Sequence, residues 1–70
     1  MDAKRYTVTV THELVALDGS GSSGAKTRTA TIWALSAAIA KEKVEHWAER
    51  EFHQQGFAVI AHADDARFAD

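Results

Sequence analysis

Residues 6–17, "YTVTVTHELVAL", open on a strict alternation that runs from Tyr6 to Thr11. Tyr6, Val8, Val10 and Leu14 fall on one side, and Thr7, Thr9, Thr11 and Glu13 on the other. A period of two, carried by β-branched residues, predicts a strand that buries one face and wets the other. His12 interrupts the apolar side, and Val15-Ala16-Leu17 no longer alternates, which a bulge or a covered strand end explains. A half-buried strand needs a partner layer, so the rest of the chain must supply one.

"KTRTATIWAL" repeats the pattern: Thr27, Thr29 and Thr31 alternate with Arg28, Ala30 and Ile32. "DGSGSSG", residues 18–24, joins the two runs, and a hairpin is the simplest connection. The partner layer comes next. Ser36 is an N-cap residue, and Ala37, Ala40, Val44, Trp47 and Ala48, with Phe52 at the edge, form an apolar stripe at helical spacing. Gly56 suits the left-handed conformation that ends a helix. "FAVIAHA" reads as a third strand, and Asp64-Asp65 as a turn signal.

The reading is one α+β domain over residues 1–70, in the order β-β-α-β, with a three-stranded, mainly antiparallel sheet and one helix on one face. Its parts are a strand over about 5–17, a flexible loop over 18–25, a strand over about 26–34, a helix over about 36–55, a strand over about 57–63 and a C-terminal tail over 64–70. The third strand is placed antiparallel beside a central first strand. The alternative is a right-handed crossover parallel to the second.

Seventy residues without cysteine exclude disulfides, thiolate nucleophiles and thiolate metal sites. A domain of this size buries only about 60% of the surface its unfolded chain exposes, so completion by a second copy or another protein is expected. The net charge is −2, split as +1 over residues 1–33 and −3 over residues 34–70. That balance does not attract nucleic acid in bulk. The start lacks the apolar core of a secretory signal, and no apolar run is long enough to span a bilayer, so a cytoplasmic protein is expected.

Four constellations are candidates for function. Gly19-Ser20-Gly21-Ser22-Ser23-Gly24 matches G-x-G-x-x-G, but a dinucleotide loop must run into a helix N-terminus and here a strand follows. It reads as a connection, and no cofactor is expected. Glu42, His46, Glu49 and His53 share one side of the helix, and His46, Glu49 and His53 are possible metal ligands. Their order matches neither H-E-x-x-H nor Glu-x-x-His, so a solvated face with weak ion pairs, including Lys43 and Arg50, is preferred to a metal site. Thr7, Thr9, Thr11, Thr27, Thr29 and Thr31 form a flat, uncharged sheet face suited to docking or to a homodimer. It lacks stacking aromatics for single-stranded nucleic acid. His12 and His62 would meet if strands one and three pair, and Trp33 and Trp47 are core or interface anchors. No nucleophile–base set is legible, so a non-catalytic protein-binding module is expected. The rival readings are a nucleic-acid binder using Lys4, Arg5, Lys26 and Arg28, and a metal-binding module on the helix.

The layout from Lys4 to Ala63, a small sheet with one helix in a short chain free of cysteine, resembles small phage-encoded anti-defence proteins, including some anti-CRISPR proteins. The resemblance implies an inhibitor that occupies a site on a larger nucleoprotein complex. Glu42, Glu45, Glu49, Asp64 and Asp65 would then imitate phosphates and meet Arg or Lys.

Overall fold

The structure, a computed structural model, describes residues 2–69. The elements are β1 (Lys4–Ala16), β2 (Lys26–Ala34), α1 (Ala37–Glu51) and β3 (Phe57–Phe68). They form one antiparallel sheet in the order β2-β1-β3 with the helix on one face. β1 is central, paired on both sides. Tyr6, Val8, Val10 and His12 are buried beneath the helix, and Thr7, Thr9 and Thr11 face the opposite way.

The core is small and built from short side chains. Val8, Val10 and Val44 are its largest fully buried members, joined by Ala34, Ala40, Ala48 and Ala63. Alanine at Ala40 and Ala48 lets α1 sit close to the sheet, and Trp47 and Phe52 pack against the margin of this core. Ser36 caps the helix in extended conformation, its Oγ accepting from the Ile39 N–H at 3.2 Å.

Three segments differ from the sequence expectation. The helix ends at Glu51 rather than near residue 55, because Phe52 leaves the helical path to stack on His12. Gly56 (φ +87°) therefore serves the turn into β3, where the Phe57 N–H donates to the Gln54 carbonyl, and not the helix end. The glycine–serine stretch is bonded along its length. Ala16 N–H donates to Gly21 O, Ser20 N–H to Asp18 Oδ1 and Ser23 N–H to Leu14 O, with Val15 opposite Ser22. Asp64 and Asp65 lie inside β3, which continues to Phe68. The register with β1 shifts between Thr9 and Val10, so Asp64 is an extra residue in β3, a bulge.

The molecule measures 45 × 16 × 14 Å. A helix of 15 residues covers about 22 Å of that length. The end of the sheet formed by Leu14–Ala16 and Phe57–Val59 extends beyond it.

Candidate functional site

The strand order decides which surfaces are free. β1 turns its even-numbered main chain towards β2 and its odd-numbered main chain towards β3. Two bonds fix this phase: Ser23 N–H donates to Leu14 O, and Ala69 N–H donates to Arg5 O. In β2 the residues opposite the even positions, Arg28, Ala30 and Ile32, face β1. The main-chain groups of Thr27, Thr29, Thr31 and Trp33 then point outward from the sheet. Trp33 O receives Lys43 Nζ at 3.4 Å. Along the threonines, no other strand pairs with this edge among the described residues.

Beside that edge runs a groove of about 590 Å³. Ala30, Ile32, Val44 and Trp47 supply its apolar wall, and Lys43, His46 and Arg50 its polar rim. A smaller hollow of about 230 Å³ continues the seam past the helix end, lined by His12, Lys26, Arg28 and Phe52 among others. Lys26, Arg28, Lys43 and Arg50 are all exposed. Among the described residues no carboxylate lines either hollow.

Three acidic residues, Glu45, Asp64 and Asp65, lie at the opposite flank, along β3. Glu45 reaches round the β3 edge and accepts from the Ala63 N–H at 2.8 Å. His62 lies 3.7 Å from Glu45 and 3.6 Å from Asp64. Thr11 Oγ1 donates to Asp64 Oδ2 at 2.7 Å, and Asp65 pairs with Arg67. Of the five carboxylates considered as phosphate mimics, Glu45, Asp64 and Asp65 thus hold intramolecular partners, while Glu42 and Glu49 stay exposed on α1.

The threonine face exists as a ladder of direct pairs: Thr7 opposite Thr31, Thr9 opposite Thr29 and Thr11 opposite Thr27. β3 adds Arg67, Asp65 and His62 to the same rows. Trp33 stands exposed beyond one end of the ladder and Ile60 beyond the other. His12 and His62 do not meet. Thr11 pairs with His62 and His12 with Ala61, so the two imidazoles lie on opposite faces.

His12 is 6% exposed and stacks on Phe52 with ring centroids 3.9 Å apart. Its Nε2 is buried with no hydrogen-bond partner. Burial first, and then the positive charges of Arg28 and Lys26, hold its pKa below the ordinary histidine value. His46, Glu49 and His53 are exposed on α1 and beyond its end. Among the described residues, no three His, Asp or Glu side chains converge as a metal site requires.

The basic residues of the nucleic-acid reading divide between the two ends of the sheet. Lys4 pairs with Ala34, whereas Lys26 pairs with His12. Eight residues of strand separate them, about 26 Å. Lys4 lies over Phe68 and Arg28 over Phe52, each 5.3 Å from the ring centroid.

Sequence reasoning named Lys26 and Arg28 for the hairpin, and Lys43 and Arg50 for a solvated helix face. It missed that the four share a seam, which needs the position of β2 at an edge and the rotation of α1. The signal available was the spacing Lys43, Trp47, Arg50, which sets two cations around an aromatic on one helix flank. No helix among the described residues is long and apolar enough to cross a membrane. Comparison with family models, with curated proteins and with solved structures finds no match to this chain.

Proposed function

We propose that the protein is a non-catalytic protein–protein interaction module that receives its partner along the outer edge of β2. The observation that carries this reading is the edge itself. Thr27, Thr29 and Thr31 offer outward main-chain donors and acceptors beside an apolar groove. An unpaired edge of this kind is a template for strand addition. The carboxylates that could have formed an acid–base pair are engaged in structure, Asp64 with Thr11 and Asp65 with Arg67.

The open threonine face is the second surface a protein could meet, and Trp33 and Ile60 give it exposed apolar groups. Three strands over the nine residues of β2 make a face of about 14 × 30 Å, roughly 400 Å² per copy. Two copies stacked there bury less than the ~1,200 Å² of a stable interface. The β2 edge adds outward main-chain donors and acceptors that the threonine face lacks, which favours it for partner binding.

The test is a pair of capture experiments with the wild type and Thr29→Pro. Proline is tolerated at an edge position whose N–H faces away from the sheet, so the ladder to β1 survives while the outward donor is lost. Proteins retained by the wild type and absent from the variant support the reading. Identical retention by both removes β2 as the binding edge.

A further inference from the structure

We infer that the seam between β2 and α1 takes an extended acidic segment of another protein, added as a strand to β2. This rests on the interaction reading above and specifies the partner's chemistry.

Lys26, Arg28, Lys43 and Arg50, half of the chain's eight Lys and Arg residues, lie along one seam, and no described carboxylate lines it. A cationic, partly apolar groove favours a partner of opposite sign and opposes a like one. The strand edge matches a peptide main chain and has no counterpart in a polynucleotide. In the groove wall Ile32 and Trp47 are half-buried, and α1 holds Lys43 and Arg50 within two turns of each other at the rim.

The chain is a poor partner for itself here. Two β2 edges brought together would set like charges face to face. The acidic β3 edge has the complementary sign. However, Glu45 already occupies the outward N–H of Ala63, and the Asp64 bulge breaks the strand's regularity. Both devices block edge pairing.

The geometry also fixes a pattern. Side chains of an added strand alternate, so those facing the seam are two residues apart, about 7 Å. An apolar residue over Ile32 and Trp47, flanked at i−2 and i+2 by Asp or Glu, reaches the cations on either side. The intervening residues face the threonine side.

The experiment uses short fluorescein-labelled peptides that alternate threonine with glutamate and valine, with lysine in place of glutamate, or with glutamine in place of glutamate. An oligothymidine is the fourth probe. Binding is followed by anisotropy at two salt concentrations. The inference expects the glutamate peptide to bind at least tenfold more tightly than the lysine peptide, and to weaken as salt rises. Thr29→Pro should abolish that binding. Lys43→Glu combined with Arg50→Glu, both on the exposed helix flank, should reverse the preference towards lysine. If the lysine or glutamine peptide binds best and Thr29→Pro abolishes it, the acidic partner is overturned while the module stands. No binding of any peptide overturns both. Tighter binding of oligothymidine than of the glutamate peptide assigns the cations to nucleic acid. A dimer in light scattering that disappears in Thr29→Pro assigns the edge to a second copy.

Discussion

Thr11 and Asp64 are 53 residues apart in the chain, and their side chains meet at 2.7 Å on the open face of the sheet. The bond sits at the one register shift between β1 and β3. It ties the carboxylate of the extra residue to the central strand. In Asp64→Ala the bulge persists without this anchor, at a cost of about 1 kcal/mol for a partly exposed hydrogen bond. Deleting Asp64 altogether is expected to give a folded protein. The pairs Val8–Ala66 and Tyr6–Phe68 are retained by a one-residue slide into a regular ladder. Urea denaturation of the two variants checks both outcomes, and a deletion that fails to fold contradicts the bulge as described.

His12 predicts a pH dependence with a definite sign. The native environment lowers its pKa, so the unfolded chain binds the proton more readily. Stability from this group is complete above the unfolded pKa, about 6.5. It declines as pH falls below that value and levels off below the native pKa. Arg28 and Lys26 face the ring from β2, and Phe52 covers it from the helix end. His12→Phe keeps the stack on Phe52 and removes the titration. The urea midpoint of the wild type should fall through this window, while the variant's midpoint stays flat. Asp18, held below the ordinary carboxylate range by its hydrogen bonds with Ser20, acts in the same direction at lower pH.

Glu45 secures the β3 edge. Its bond to the Ala63 N–H is partly buried and charge-assisted, so Glu45→Ala is expected to destabilise by about 2 kcal/mol. Glu45→Gln retains an acceptor and loses less. The alanine variant also frees a strand edge, so it should self-associate more than the wild type in light scattering at matched concentration. A strictly monodisperse Glu45→Ala would show that the bulge alone blocks the edge.

Ser36→Ala removes the side-chain acceptor for the Ile39 N–H. The expected loss is about 1 kcal/mol, read from the urea midpoint. Ser36→Asp should recover it, since a carboxylate at that position caps the helix and complements its dipole.

Much of the fold is legible from the pattern of apolar residues alone. Strict alternation with valine on one side and threonine on the other is satisfied by a strand covered on one face; that β1 is the central strand comes from the pairing, since the edge strand β2 alternates as well. The stripe from Ala37 to Ala48 supplies the cover. Asp64-Asp65 misleads because an acidic pair is a turn signal by local propensity, and here a long-range bond to Thr11 outweighs that propensity. The early end of the helix has the same origin: Phe52 finds an aromatic partner, His12, 40 residues away. The seam was least legible. Each of its cations is unremarkable in sequence, and only the rotation of α1 over an edge strand aligns them.

The helix stops short of one end of the sheet, and that overhang sets a gradient along the long axis. Amide protons of Val8 and Val10, beneath α1, should exchange only through global opening. Those of Val15, Ser23 and Ala58 should exchange through a local fray that leaves the rest intact. The tip around Asp18–Ser20 is therefore where a fluorophore or a grafted peptide can be carried without disturbing the cooperative unit.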